Sequence, residues 1–211
     1  MRGAIIALAL LMAGCSEAGT GSQADEAAAT NKAATTAASE ARSAAKAVAA
    51  QPVLAAEGFG PLRIGMTRAE VVKTLGEDDD PEAVGGPDPA SCDEFRPARA
   101  PEGMLVMIEE GRLTRISLID EAKVKTDRGL GLGAAAAAVR SVYGSALRPE
   151  PHKYEEAPAE YLVVWAKGAP KDDKSEIPAT SRGIKYEVGG KRVVQGISAG
   201  GPSILYVEGC A

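Results

Sequence analysis

The sequence has little of what most catalytic and metal-binding sites use. Of its 211 residues one is histidine (His152), three are cysteine and eight are aromatic, namely two Phe, one Trp and five Tyr. So few histidines and cysteines exclude a classical zinc site built from Cys and His ligands. The net charge of −5 argues against a basic face that binds nucleic acid. A hydrophobic content of 45% is that of a globular protein.

The beginning of the sequence lacks an apolar run long enough to span a bilayer. Residues 4–13 are apolar, but a membrane-spanning helix needs about 20 such residues. A basic residue at position 2, a short apolar run and small residues before position 15 are typical of a secretory signal. We therefore assign residues 1–14 to a signal peptide.

The end of this signal, Leu11-Met-Ala-Gly-Cys15, resembles the lipobox of bacterial lipoproteins. The resemblance implies cleavage before Cys15, a diacylglycerol on its sulfur and an acylated new N-terminus, which together anchor the chain in a lipid bilayer. By analogy with enteric bacteria, Ser16 implies sorting to the outer membrane, with the protein facing the periplasm. The alternative is a plain secretory signal that ends near a cysteine.

The composition changes after Cys15. Residues 16–50 contain 15 alanines and no aromatic residue, so they offer little apolar surface to offset the entropy of ordering. We predict a disordered tether over residues 15–56, rich in Ala, Ser and Thr, and one folded domain over residues 57–211. A domain of this length is long enough for one hydrophobic core.

Two segments of this domain are similar after a shift of 68 residues. Gly65 and Gly76 match Gly133 and Gly144, and each pair encloses a segment that predicts a three-turn helix. In the first copy, Thr67 and Glu70 have the spacing of a capping box and Gly76 is a typical helix stop. Hairpin signals follow each helix. The predicted strands are residues 104–108, 113–119, 161–166, 184–188, 193–197 and 203–208.

These patterns predict an α+β fold with two tandem repeats, about residues 57–125 and 126–211. Each repeat would consist of a helix and an antiparallel β-meander, with the helices packed on the sheet.

The motif Gly65-Met-Thr-x-x-Glu-Val-x-x-x-Leu-Gly76 resembles the small lipoproteins of outer-membrane assembly, the SmpA/OmlA type. Its doubling resembles the tandem architecture of β-lactamase inhibitor protein. The folded part, which ends in Tyr206-Val-Glu-Gly-Cys210, is similar to uncharacterised proteobacterial periplasmic proteins. The second copy lacks the Met, Thr and Glu of the motif. The resemblance implies a non-catalytic binding fold and gives no particular ligand.

Two cysteines remain when Cys15 is acylated. In an oxidising compartment we expect Cys92 and Cys210 to form a disulfide that closes a loop of 118 residues. The alternative is a nucleophilic cysteine. That alternative is not favoured, because His152 lies in the other repeat and the sequence has no Cys-x-x-Cys motif.

Three other patterns resemble functional motifs but are better explained by ordinary structural roles. The glycines of residues 129–134 fit a dinucleotide fingerprint, but the matching segment of the first repeat makes the same turn with one glycine. The acidic residues 77–80 lack the spacing of a calcium loop and are typical of a solvated loop. His152 could be an acid–base residue or a weak metal ligand, but lies in a polar loop without a nucleophile motif. We expect no metal, cofactor, nucleotide or enzymatic activity.

The second repeat holds most of the aromatic residues. Tyr161 and Trp165 fall on one side of a predicted strand, and Tyr186 and Tyr206 lie on neighbouring predicted strands. If these four side chains were exposed, they would form a face for binding protein or carbohydrate. The alternative is that they fill the core, and the scarcity of aromatics favours it.

Together these features predict a membrane-anchored periplasmic lipoprotein that acts as a non-catalytic protein-binding module of the cell envelope. The alternatives are an inhibitor of a periplasmic or secreted enzyme and a glycan-binding module.

Overall fold

The structure, a computed structural model, describes residues 51–83, 85–167 and 176–210. The predicted signal peptide, Cys15 and the tether up to residue 50 lie outside the described residues. No helix within the described ranges is long and apolar enough to cross a membrane.

Most described strands belong to one antiparallel sheet. Its spatial order is β4-β5-β6-β10-β9-β8-β7, so the pairing of β6 with β10 joins the earlier and later strands into seven. The strands are β4 (Cys92–Phe95), β5 (Met104–Glu109), β6 (Arg112–Leu118), β7 (Leu147–Pro151), β8 (Glu160–Lys167), β9 (Arg182–Val188) and β10 (Val194–Gly200).

Three very short strands, two α-helices and two 3₁₀ turns, at Gly144–Ala146 and Pro202–Leu205, complete the regular structure of the described residues. A small antiparallel sheet has the order β1-β2-β3. Its strands are β1 (Leu54–Ala55), β2 (Gly58–Phe59) and β3 (Leu62–Arg63), and the helices are α1 (Arg68–Leu75) and α2 (Ala136–Tyr143).

A tight turn explains the hairpin of β5 and β6. Glu109 pairs with Arg112, so only Glu110 and Gly111 connect the strands. Both have positive φ, 48° and 72°, as a type I′ turn requires. This turn matches the twist of the strands that it joins, and the hairpin lies where the sequence predicts it.

One face of the large sheet forms the core. Buried side chains on its strands, including Phe95, Val106, Ile116 and Tyr186, belong to one continuous apolar cluster. The small sheet contributes to the same cluster through Leu54, Phe59 and Leu62, all nearly fully buried. Burial of this apolar surface is the main favourable term that holds the elements together.

The predicted fold class is wrong. The prediction was an α+β fold with two tandem repeats, about residues 57–125 and 126–211, each with its own meander and with helices packed on the sheet. The described residues are instead mainly β, with ten strands in two sheets and only two short helices. Each helix has eight residues, just over two turns instead of three.

The short helices explain much of this error. Helix α1 buries only Val71, and α2 buries only Ala136 and Val139, so neither covers much of a sheet. An alanine-rich segment favours a helix but gives it little apolar surface to bury. In addition, hydrogen bonds between β6 and β10 merge the predicted meanders into one sheet.

Strand prediction also failed at several places. Residues 203–208 do not form a strand, because the chain enters a 3₁₀ turn at Pro202–Leu205 after two glycines. Strands β4 and β7 were not predicted, and β7 contains Pro149 and Pro151, which are tolerated because it is an edge strand. Strand β1 lies inside the segment assigned to the tether, and its Leu54 is fully buried.

Candidate functional site

The large sheet has a second face, opposite the core, which we call the outer face. Directly paired residues of antiparallel strands point to the same face. Ser198 on β10 pairs with Ser117 on β6 and with Lys185 on β9, and none of the three belongs to the core cluster. Arg115 follows the same alternation two residues before Ser117. The middle of the outer face is therefore polar and charged.

Residues 201–210, which we call the strap, lie over the middle of the outer face. The 3₁₀ turn at Pro202–Leu205 contacts β6, β9 and β10, and its Ser203 and Ile204 are buried. The N–H of Gly201 donates to the carbonyl of Thr114 at 2.9 Å. The strap therefore covers side chains that an open sheet would leave in solvent.

The predicted disulfide is confirmed and fixes the end of the strap. Cys210 is bonded to Cys92 on the edge strand β4, with the two Cα atoms 5.5 Å apart. The bond closes a loop across 118 residues of sequence. It thereby links the last residues of the described chain to the far edge of the large sheet.

Two buried cations of the outer face bind the backbone of the strap. Arg115 donates to the carbonyls of Ser203 and Tyr206 at 3.1 and 3.3 Å, and to a carboxylate oxygen of Glu94 at 2.5 Å. Lys185 donates to the same Tyr206 carbonyl at 3.1 Å. Arg115 and Lys185 are only 6% and 5% exposed. Charged side chains buried this deeply need such partners.

The environment of Lys185 disfavours its charged form. Burial, and to a smaller extent the nearby Arg115 guanidinium, lower the pKa of Lys185 to about 8 against the opposing effect of Glu187 and Glu150. The ammonium lies 5.1 Å from the ring centroid of Tyr161, within the range of a cation–π contact. Among the described residues, no carboxylate lies within ion-pair distance, 4.0 Å, of Lys185.

A cavity of about 260 Å³ lies between the strap and the outer face. Sheet residues form most of its wall, and strap residues 206–209 form the rest. Its polar lining contains both cations, two serine hydroxyls 3.2 Å apart, and carboxylates. The lining side chains with polar groups are Glu94, Arg115, Ser117, Lys185, Glu187, Ser198, Tyr206 and Glu208.

The side chain of His152 is buried and orders the neighbouring loop through hydrogen bonds. Its Nδ1 accepts from the backbone N–H groups of Tyr154 and Glu155 at 3.2 and 3.0 Å. This geometry assigns the remaining proton to Nε2, which lies 3.3 Å from a carboxylate oxygen of Glu187. Its ring stacks on Tyr161 with centroids 4.6 Å apart. Both ring nitrogens therefore have structural partners.

The acidic and glycine-rich patterns have local structural roles. In the acidic run, a carboxylate oxygen of Asp78 accepts from the N–H groups of Asp80 and Arg96, so it orders its own loop. Gly129 and Gly133 have positive φ and form turns. Within the described ranges, no cluster of three or more His, Cys, Asp or Glu is arranged to hold a metal ion.

The four residues of the predicted aromatic face do not share one face. Tyr186 is opposite Leu162 in the pairing of β9 with β8, so it points into the core, where its hydroxyl meets that of Tyr143 at 2.8 Å. Tyr161 is opposite Glu187, which places it on the outer face, buried under its neighbours. Burial raises the pKa of Tyr186, as expected for a core phenol.

Trp165 and Tyr206 differ from the two buried tyrosines. Trp165 lies on the outer face and is half-buried, with its ring across Gly183 and close to Ile204 of the strap. Tyr206 lies on the strap itself and is exposed. The four residues therefore do not form the exposed face, which was the less favoured of the two interpretations, because Tyr186 lies in the core and Tyr161 is buried on the opposite face. The favoured interpretation, that the rings fill the core, holds for Tyr186 but not for Trp165 or Tyr206.

Exposed apolar side chains gather instead on the strap and the loop beside it. Tyr206 is 47% exposed, Val207 38% and Tyr154 62%. We call these three residues the strap surface. An ion pair between Lys153 and Glu208 at 3.0 Å connects the loop to the strap, and the Lys153 ammonium lies 5.2 Å from the Tyr154 ring centroid. A groove of about 390 Å³ runs between Lys153 and strap residues 206–210.

Sequence patterns give little indication that Arg115 and Lys185 are buried. Arg115 and Lys185 alternate with core residues along their strands, the ordinary pattern of a sheet with one solvated face. Only the position of the strap, which depends on contacts distant in sequence, makes these side chains buried. The one available signal is Lys185, a charged residue between Ile184 and Tyr186 on a predicted strand.

Comparisons with known proteins do not assign a function to this site. Protein-family models, curated proteins and solved structures give no match to the chain. The resemblances to outer-membrane lipoproteins and to β-lactamase inhibitor protein therefore stay predictions, and the site is defined by its own contacts.

Proposed function

We propose that this chain is a lipid-anchored protein of the cell envelope that binds a partner protein without catalysing a reaction. Acylated Cys15 anchors it to the outer membrane, facing the periplasm, and the strap surface contacts the partner. The observation that carries this proposal is the exposure of Tyr154, Tyr206 and Val207 around one rigidly held segment.

Tyrosine is one of the residues that contribute most to binding energy at protein interfaces. Tyr154 and Tyr206 present large rings to solvent beside the Lys153–Glu208 ion pair, so apolar contact area and charges for specificity lie together. A protein partner can bury the rings and pair with the charges at the rim. This combination supports a protein partner over a purely apolar ligand.

The strap surface is also held in place before binding. The disulfide fixes Cys210, and two buried cations bind the backbone carbonyl of Tyr206. A rigid segment loses little conformational entropy when it binds, so more of the contact energy contributes to affinity. The exposed ring of Tyr206 thus extends from one of the best-fixed backbone positions of the strap.

Site-specific photo-crosslinking in native envelopes tests this proposal. A photo-reactive phenylalanine replaces Tyr206, and in a control strain it replaces Val142, which is about as exposed but lies on α2. We expect a discrete protein adduct from position 206 and none from position 142. Equal adducts from both positions, or none from position 206, contradict the assignment of the strap surface.

The same experiment separates the alternatives. An adduct at position 206 that glycosidases digest favours a glycan-binding module. An adduct with a periplasmic enzyme that loses activity in the complex favours an inhibitor. The membrane anchor is tested separately by Cys15→Ser, for which we expect uncleaved or soluble protein. Detergent partitioning at the wild-type mass would contradict lipidation.

A further inference from the structure

On the outer face, two positively charged side chains donate hydrogen bonds to the same neutral carbonyl oxygen. Arg115 and Lys185 both donate to the carbonyl oxygen of Tyr206, and both side chains are more than nine-tenths buried. A carbonyl dipole offsets two buried charges only partly, because the cations also repel each other.

The carboxylates around the cavity already have other partners. Glu94 pairs with Arg115, Glu187 contacts His152 and Gln195, and Glu208 pairs with Lys153. Lys185 has no carboxylate within 4.0 Å among the described residues. One buried cation therefore lines the cavity without a counter-ion.

A second observation concerns Arg115. Its Nε is fully buried and has no hydrogen-bond partner among the described residues. A buried donor without a partner is uncommon and costly, so it needs an explanation. Arg115 and Lys185 both line the cavity of about 260 Å³, together with the hydroxyls of Ser117 and Ser198.

We propose that this cavity binds a small oxyanion, a carboxylate or a phosphate, whose charge lies between Lys185 and Arg115. The anion gives Lys185 its counter-ion, and the two serine hydroxyls supply neutral donors. The cavity volume exceeds the roughly 30 Å³ of one water molecule in the liquid several times, so a small polyatomic anion fits. The cavity lies beneath the strap and adjoins the strap surface, because Tyr206 and Val207 contribute to both.

The titration of Lys185 supplies a readout in the unmodified protein. Groups that act on its ammonium come from several elements: Arg115 on β6, Glu187 on β9, Glu150 on β7 and the Tyr161 ring on β8. The pKa of Lys185 is about 8 in the fold. A bound anion favours the ammonium form, so binding must raise this value.

Carbon-13 NMR of lysine Cε carbons measures that shift. Phosphate or acetate is added at constant ionic strength set with sodium chloride, and the Lys185 signal is identified by its contact with the Tyr161 ring. We expect one of the anions to raise the Lys185 midpoint saturably by about one pH unit. The exposed Lys123, which does not line the cavity, is the internal control, and its Cε signal should not respond to either anion.

A substitution gives the second readout. Calorimetric titration with the same anion should show affinity at least tenfold weaker in Lys185→Met and unchanged in Lys123→Met, whose side chain lies outside the cavity. No saturable shift of Lys185 with either anion overturns the proposal, and so does equal affinity in the two variants. If Lys185→Met does not fold, the NMR titration of the wild type decides alone. A response to only one of the anions identifies the class of ligand.

Discussion

The guanidinium of Arg115 and the ammonium of Lys185 donate to the same acceptor, the backbone carbonyl of Tyr206. The two cations lie on β6 and β9, which β10 separates, so one strap residue bridges three strands of the sheet. Without the strap, both side chains would be hydrated on an open face. For Lys185 the strap therefore replaces water with one carbonyl, and this exchange makes its charge costly.

This cost predicts a pH-dependent effect of Lys185→Met. The pKa of Lys185 is about 8 in the fold and about 10.5 in the unfolded chain. Between these values the unfolded chain binds more protons, so the free energy of unfolding gains a contribution as pH rises. Relative to the variant, the wild type should gain about 3 kcal/mol between pH 7 and 10.5.

Urea denaturation of both proteins over this pH range measures the difference. Burial raises the pKa of Tyr186 and of Tyr143, so both proteins should lose stability above pH 10, where tyrosines of the unfolded chain ionise first. That loss is common to the two proteins and cancels in the difference. A difference that is constant over the whole range would mean that Lys185 is as hydrated in the fold as in the unfolded chain.

The disulfide predicts a large loss of stability on reduction. Cys92 and Cys210 close a loop across 118 residues, for which the chain-entropy model gives about 4 to 5 kcal/mol. We expect Cys92→Ser with Cys210→Ser to lower the denaturation midpoint to that of the reduced wild type. In a Cys15→Ala background, thiol titration of the unfolded, unreduced protein should find no free thiol. Two free thiols would contradict the bond.

Features with local causes could be predicted from the sequence. Thr67 and Glu70 form the predicted capping box, because both partners lie within one helical turn. The Glu110–Gly111 turn follows from its two residues. The disulfide followed from counting cysteines, since only one pair remained after Cys15.

Features that depend on strand register could not be predicted. Tyr161 and Tyr186 lie on adjacent strands, but whether they share a face depends on which residues are opposite each other. The register of this strand pair shifts between Trp165 and Lys167, and that of β10 with β9 shifts between Val194 and Gly196. No pattern within one strand reveals such a shift. The burial of Lys185 depends in turn on the strap, whose Tyr206 lies 21 residues further along the chain.

Close packing of the only tryptophan predicts an effect of Gly183→Ala. A Cβ at position 183 would come within 2.7 Å of the Trp165 ring and of the Val164 carbonyl oxygen. The backbone cannot yield easily, so we expect a loss of about 1 to 3 kcal/mol in the free energy of unfolding. Displacement of Trp165 into solvent should also shift its fluorescence to the red.

Gly190→Ala is the matched control for this substitution. A Cβ there meets only a carboxylate oxygen of Glu155, at the ordinary distance of 3.6 Å. We expect a change within about 0.5 kcal/mol and an unchanged emission spectrum. If Gly183→Ala behaves like this control, Trp165 does not lie across Gly183.

The two helices differ at their first residues, and this difference predicts opposite effects of two substitutions. In α1, the Thr67 hydroxyl accepts from the N–H of Glu70 at 3.3 Å, and the Glu70 carboxylate accepts from the N–H of Thr67 at 2.8 Å. The bond from the Thr67 N–H, and a second from the Thr67 hydroxyl at 2.8 Å, lower the pKa of the Glu70 carboxyl. In α2 the equivalent positions are Ala135 and Ala138, and Ala135 makes no side-chain capping bond.

Thr67→Ala should therefore cost about 1 kcal/mol, because it leaves a helix N–H without its acceptor. Ala135→Ser combined with Ala138→Glu should stabilise the protein by about the same amount, since the backbone at Ala135 is already extended as a capping residue requires. Thr74→Ala, which removes only a bond to the Glu70 carbonyl within α1, should have little effect. Chemical denaturation of the four proteins measures these changes. A gain from the paired substitution in α2 without a loss from Thr67→Ala would mean that the first helix begins elsewhere than at Thr67.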